Sequence, residues 1–237
     1  MSGIFKFKQF DVDQTGCALK INTDGVLIGT LTDAGNPSSI LDIGTGTGVI
    51  ALMLAQKFTS AKIDAVEIDP LAAGTAEKNF ANSPFSERLG IYPLSFEDFF
   101  MRNRDKKYDM IVSNPPFYIN SLKSPQANKE LAKHTDKDFF ERLIRSAAEH
   151  LTPQGTFWLI LPIDIEQLIS TLSSGNTLFP QRIIRIQSFP HSDAHRIIMS
   201  FGFNEVSTEI TKLSIYQAEN CYSDEYKKLL QPYFIAF

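Results

Sequence analysis

Cysteine is scarce in this chain: Cys17 and Cys221 are the two in 237 residues. They lie far apart and in no metal-ligand spacing, which excludes a disulfide framework and a cysteine-built metal centre and fits a reducing, cytoplasmic setting. Long apolar runs are also missing. A stretch such as Phe157 to Pro162 is far too short to cross a bilayer. The N-terminus, Met1-Ser2-Gly3-Ile4-Phe5-Lys6-Phe7-Lys8, has no apolar core of signal-peptide length. Nor is there an excess of positive charge. Lys and Arg total 23 against 27 Asp and Glu, a net charge of −4, so the chain is not a uniformly basic nucleic-acid binder. Local clusters can still meet phosphates. Lys6 with Lys8, the run Arg102 to Lys107 and the segment from Lys123 to Lys133 are candidates, each of which taken singly reads first as a solvated surface cluster. Repeats and low-complexity segments are absent.

What is present is a globular composition, with 43% hydrophobic residues and 21% charged ones, enough for one large domain with a substantial core. From about Ser38 onward short β-type runs alternate with longer helical ones, the pattern of a parallel sheet covered by helices. Strands are expected at Ser39–Asp42, Lys62–Glu67, Arg88–Leu94, Tyr108–Ser113, Thr156–Leu161, Arg182–Phe189 and His195–Phe203. Helices are expected at Val49–Lys57, from Pro70 to about Asn82, from Ser95 toward Arg102, over Asp136–Leu151, from about Ile163 to Leu172, and near Asp224–Leu230. Tyr118 to about His134 reads as a polar loop. The fold class is therefore α/β. Residues 1–37 lack the alternation and read as an N-terminal extension packed on a domain spanning 38–237. Asn22-Thr23-Asp24-Gly25 before Val26 is a helix-capping signal that by itself accounts for Asp24.

Gly44, Gly46 and Gly48 follow the first strand and open the first helix of the alternation. Glycines there allow a tight turn and close approach of a ligand to the backbone, and the helix N-terminus adds free N–H groups. A dinucleotide site wants G-x-G-x-x-G; here the spacing is G-x-G-x-G, with Val49 in place of the third dinucleotide glycine. Asp42, two residues before the first glycine, suits a ligand with a cationic amino group better than a pyrophosphate. Glu67 ends the second strand, where an acid can accept ribose hydroxyls, although nicotinamide enzymes use an acid there too. Asp69 reads as the N-cap ahead of Pro70. Phe96 reads equally well as a wall flanking an adenine ring and as core.

Asn114-Pro115-Pro116-Phe117 ends the fourth strand at the carboxyl edge of the sheet, where open α/β sheets bind ligands. An exocyclic amine is a poor nucleophile because its lone pair is delocalised. The Asn114 side-chain oxygen and the Pro115 carbonyl can each accept one of its N–H bonds, aiming the nitrogen and favouring a positively charged transition state. The prolines stiffen that backbone, and Phe117 offers a flat face for a planar target.

The stretch Asp42 to Gly48 resembles the first motif of class I S-adenosylmethionine-dependent methyltransferases, and Asn114 to Phe117 resembles the [DNS]-P-P-[FYW] signature of amino-methyltransferases. With Phe7-Lys8-Gln9-Phe10 and Cys17 to Gly25, the chain is similar to the tRNA1(Val) adenine-N6-methyltransferase family over roughly residues 5 to 120. That resemblance implies a Rossmann-like, seven-stranded, mostly parallel sheet with helices on both faces. It implies S-adenosyl-L-methionine as cofactor, held by Asp42, Gly44, Gly46, Gly48, Glu67, Phe96 and Asn114, and catalysis by Asn114, Pro115 and Phe117. The substrate would be the adenosine 3′ to the anticodon of a valine tRNA, swung out of its stack, with the chain a monomer needing neither metal nor membrane. The Tyr118–His134 loop, with Lys123, Lys129, Lys133 and His134, and the segment Pro190 to Arg196, with His191 and His195, are candidates for tRNA contact. Asn-Pro-Pro-Phe also fits enzymes acting on a release-factor glutamine amide or on guanine N2 of ribosomal RNA. The former carry a larger N-terminal domain than 37 residues allow. A nicotinamide oxidoreductase would need the missing third glycine.

Overall fold

Along the central strands successive residues are buried on opposite faces of one sheet. Ile40, Ile63, Met110, Val112, Trp158 and Ile160 join one apolar cluster, and Leu41, Ile43, Val66, Ile111, Phe157 and Leu159 join a second. A strand buried on both sides reads as a continuous apolar run, and both faces then need helices. The computed structural model describes residues 3–17, 20–116 and 129–237, with side chains from 137 onward in the last stretch. Phe117 and the first part of the expected polar loop, 118–128, lie outside the described residues.

In chain order the elements are β1 (Ile4–Lys6), β2 (Asp11–Asp13), α1 (Thr23–Leu31), β3 (Ser39–Ile43), α2 (Val49–Lys57), β4 (Lys62–Val66), α3 (Pro70–Ala81), β5 (Leu89–Tyr92), α4 (Phe96–Arg102), β6 (Tyr108–Ser113), α5 (Lys129–His150), β7 (Leu151–Pro162), α6 (Glu166–Gly175), β8 (Phe179–Gln187), β9 (Ala194–Gly202), β10 (Glu209–Ser214), β11 (Tyr216–Ala218), β12 (Cys221–Tyr222) and α7 (Asp224–Leu230). The main sheet runs β10-β8-β9-β7-β6-β3-β4-β5. β9 is antiparallel to both its neighbours; the other pairings are parallel.

All seven expected strands are there, and the sheet gains an eighth, β10, on the far side of β8. It escapes sequence reading because an edge strand buries little: of its six residues only Leu213 is buried, and Ile210 is 59% exposed. A second difference concerns the expected polar loop. Helix α5 starts at Lys129, not Asp136, so residues 129–134 are helical rather than loop.

The described residues of the N-terminal stretch, 3–17 and 20–37, are woven into the domain. Phe7, Phe10, Val12, Val26, Leu27 and Ile28 belong to the same core cluster as α2 and β3. Lys8 donates its ammonium to the carbonyls of Gln231 and Phe237, at 2.6 and 2.9 Å, and Phe7 forms an isolated β-bridge with Phe234. Helix α1 begins at Thr23 with Asn22 as its cap, the Asn22 side chain accepting from the Gly25 amide at 2.9 Å. Asp24 is therefore not the cap; it sits in the first turn and pairs elsewhere.

The turn between β3 and α2 is a close fit. Gly48 has φ of +84°, and a Cβ there would lie 2.5 Å from Cε1 of the buried Phe80 ring. Gly48→Ala is expected to cost about 2–4 kcal/mol, the sum of a left-handed penalty and overpacking. Urea denaturation checks this, and a loss under about 1 kcal/mol would contradict it.

Candidate functional site

The carboxyl ends of β3, β4 and β6 meet at one edge of the sheet and leave a cleft of about 470 Å³ between them and the helices. Its floor is the glycine turn. The amides of Gly44 and Thr45 both donate to the Val66 carbonyl, at 2.9 and 3.1 Å, which folds the turn back over the end of β4. Gly44, Thr45, Gly46 and Thr47 line the cleft. Gly48 does not; its place is against Phe80.

Glu67 lies at the end of β4, 8% exposed, and lines the cleft. One carboxylate oxygen accepts from the Gly46 amide and the other from the Asp69 amide, each at 2.9 Å. A single buried carboxylate thus ties the glycine turn to the start of α3. Asp69 caps α3, its side chain accepting from the Leu71 amide, as its position before Pro70 suggests. Asn79, buried in α3, holds the other side: it donates to the carbonyls of Thr47 and Asp13 and accepts from the Asp13 amide.

Asp42 sits below this floor and not on the wall. It is fully buried, shares a sheet face with Ile40, and accepts from the Thr45 hydroxyl at 2.6 Å through one oxygen. The other oxygen takes no hydrogen bond of normal length, although the Ala51 amide in the first turn of α2 is near enough to favour the charge slightly. Burial dominates and pushes the carboxyl up to about 7. Asp42 does not line the cleft; it supports the turn that does.

Asn114 follows β6 directly. The Ser113 hydroxyl donates to the Ile43 carbonyl at 2.8 Å, locking the ends of β6 and β3 together just before Asn114. Asn114 is half-buried, Pro115 is buried and Pro116 is exposed, and all three line the cleft. The Asn114 carboxamide makes no hydrogen bond to another described residue. A polar side chain left open at the rim of an apolar cleft, on a proline-stiffened backbone, is ready to take an N–H from outside.

Phe96, at the start of α4, is 7% exposed; it belongs to the core cluster under α4 and also lines the cleft. Ser95 caps α4, accepting from the Asp98 amide. Other wall residues went unread in the sequence. Ile68 is 72% exposed and lines the cleft between Glu67 and Asp69; an apolar residue set between two acids is the one signal the sequence offers. Phe139 and Arg142 arrive from α5. Phe139 packs edge-on against Phe96 with ring centroids 5.9 Å apart, and Arg142 pairs with Glu97 at 3.1 Å. Their place depends on how α5 crosses the sheet, which no local pattern announces. His191 and His195 are exposed, His191 on the turn before β9 and His195 within the first residues of that strand. Among the described residues no group of three or more His, Cys, Asp or Glu is placed to hold a metal ion, and no helix is long and apolar enough to cross a membrane. Both cysteines are free thiols.

Residues 21–167 match the family model of the methyltransferase small domain. A curated relative from Pedobacter heparinus, named tRNA1(Val) (adenine(37)-N6)-methyltransferase, is 46% identical over 237 residues, covering 100% of both chains. A relative of the same name from Bacteroides fragilis is 39% identical and covers 98% of this chain and 97% of its own. Among solved structures, a predicted O-methyltransferase from Agrobacterium tumefaciens superposes with a TM-score of 0.67 at 18% identity, over 89% of this chain and 96% of that one. A methyltransferase from Pyrococcus furiosus gives 0.54 at 20% identity, over 81% and 91%. At such identities these two speak for the fold alone.

The buried Asp42 carboxyl carries a pH signature. Its folded-state value lies above its ordinary 3.8, so the native state holds the proton more tightly than the unfolded chain. That contribution is fully present below about pH 4 and is lost as pH rises through about 7. In ligand-free protein, Asp42→Asn should therefore gain in Tm relative to the parent between pH 5 and pH 8. A Tm difference that stays constant across that range would contradict the assignment.

Proposed function

Since the chain belongs to the family of tRNA1(Val) (adenine(37)-N6)-methyltransferases, built on the methyltransferase small domain, we propose that it transfers a methyl group from S-adenosyl-L-methionine to the exocyclic N6 amine of an adenine in tRNA. The favoured target is the adenosine 3′ to the anticodon of a valine tRNA, the nucleotide that the relatives' name specifies. The readings as a release-factor glutamine or ribosomal guanine N2 enzyme are not favoured, because relatives matching over the whole chain carry the tRNA adenine name.

The observation that carries the proposal is the open Asn114 carboxamide on a buried Pro115, at the rim of the cleft floored by the glycine turn. The cleft fits the cofactor. Its volume falls in the range of about 300–1,000 Å³ usual for small-molecule sites. The glycine turn, bare of side chains at the exposed Gly44 and half-buried Gly46, allows close approach of the amino-acid end, Glu67 suits the ribose hydroxyls, and Ile68 with Phe96 supplies apolar surface for an adenine ring. Asp42 acts on that ligand from beneath, by holding Thr45 and the turn. When bound, the sulfonium supplies an already activated methyl group.

The remaining work falls to the protein. The Asn114 Oδ1 and the Pro115 carbonyl accept the two N–H bonds of the adenine amine and so hold the nitrogen with its free lobe toward the methyl donor. The nitrogen gains positive charge as the bond forms, and those two acceptors stabilise it more in the transition state than in the ground state. No strong base is needed beforehand, because the amine becomes acidic only as it gains the methyl; the methyl–sulfur bond would break as the carbon–nitrogen bond forms, leaving a neutral thioether, and the surplus proton would pass to water. Phe117 is proposed as the stacking face for the target base. Lys123, Lys129, Lys133 and His134, next in the chain, are proposed to meet the tRNA backbone, with the exposed His191 and His195 as a second contact.

Asn114→Ala is expected to leave the cofactor dissociation constant within about two-fold of the parent while lowering the methylation rate by about 100-fold or more. Isothermal titration and a tritium-transfer assay on unmodified tRNA check the two halves, and full retained transfer would contradict the role. Glu67→Ala should instead weaken cofactor binding by about ten-fold or more, since it removes the ribose acceptor and frees the Gly46 amide. An unchanged dissociation constant would count against it.

A further inference from the structure

Asn114 has no hydrogen bond to hold it among the described residues, yet the proposed chemistry needs its oxygen fixed. What stands beside it is the first turn of α1. A Cβ at Gly25 would be 3.8 Å from the Asn114 Nδ2 and 3.5 Å from the Asn22 Oδ1, so the bare backbone of that turn forms the wall against which the carboxamide rests. Asn22 and Gly25 also line the cleft. The position of α1 along the sheet thus sets where the Asn114 side chain can be.

One ion pair fixes the start of α1. The Asp24 carboxylate lies 2.8 Å from the Arg196 Nε, with the two side chains only 16% and 27% exposed. Arg196 is the third residue of β9 and stands opposite Pro162 at the end of β7, and β7 is the immediate neighbour of β6, which delivers Asn114. A pair this screened from water resists salt better than a surface bridge. An acid in the first turn also favours the helix dipole.

We propose that the Asp24–Arg196 pair is a positioning strut for Asn114, anchoring the first turn of α1 to the antiparallel strand β9 so that the Gly25 backbone backs the catalytic carboxamide. The inference rests on the proposed role of Asn114. Its consequence is that Asp24 and Arg196 serve the transfer step and neither cofactor nor tRNA affinity.

The experiment is a double-mutant cycle in the full-length protein with Asp24→Asn, Arg196→Gln and the two combined. Steady-state kinetics on unmodified tRNA, the cofactor dissociation constant and thermal unfolding are read for each. The strut predicts that Asp24→Asn lowers kcat by about ten-fold, as a small misplacement of a catalytic group does. KM for tRNA and cofactor affinity should stay within about two-fold. In the Arg196→Gln background Asp24→Asn should cost nothing more, and the charge-reversed pair, Asp24→Arg with Arg196→Asp, should regain part of kcat. Wild-type kcat in Asp24→Asn overturns the proposal. So does a loss in KM alone, which would make Arg196 an RNA ligand, or losses that add in the double variant. If Asp24→Asn fails to fold, Asp24→Glu, which keeps the charge, takes its place: the strut then predicts kcat nearer the parent than that of Arg196→Gln, and an equal loss overturns it. A parent protein that transfers no methyl group to tRNA would defeat the functional reading itself, a result distinct from an active parent with an equally active Asp24→Asn.

Discussion

The site depends on one buried carboxylate. Glu67 accepts from the amides of Gly46 and Asp69 at once, and those amides belong to the two turns that make the floor and one wall of the cleft. These two hydrogen bonds join segments more than twenty residues apart in the chain. With the Val66 carbonyl below and Asn79 behind, the glycine turn has few ways to move. A ligand meets a surface that is already shaped, so little ordering cost falls on binding.

The same logic runs along the sheet edge to Asn114, the residue proposed to hold the amine. Ser113 is tied to β3, Pro115 is buried, and Gly25 of α1 backs Asn114. The parallel strands supply a rigid frame, while α1 and β9, both outside the glycine-turn motif, supply the lateral support. A chain segment that begins as an N-terminal extension in the sequence therefore shares a wall of the cleft with the glycine turn, and its core residues Phe7, Val12 and Leu27 pack with those of α2.

Much of this was legible beforehand because the central elements obey strong local rules. Strands buried on both faces, glycines at a strand-to-helix turn, Asp69 ahead of Pro70 and Ser95 ahead of Phe96 are all fixed by burial, φ or capping. The rest depends on tertiary contacts. Asp42 reads as a ligand acid from its place in the motif, but the pleat that puts Ile40 in the core puts Asp42 there too, under the turn. Asp24 reads as a cap, yet Asn22 takes that role and leaves Asp24 to meet Arg196, a residue 172 positions away. Phe139 and Arg142 reach the cleft only because α5 crosses over it. The edge strand β10 buries too little to show a pattern.

The central claim is that this chain modifies an adenine amine in tRNA through Asn114. The most direct test is mass spectrometry of nucleosides and anticodon-loop fragments from tRNA of cells lacking the gene, complemented with the parent or with Asn114→Ala. The account predicts that N6-methyladenosine 3′ to the anticodon of valine tRNA disappears on deletion, returns with the parent and stays absent with the variant. An unchanged level of that nucleoside after deletion, or its full return with Asn114→Ala, would contradict it.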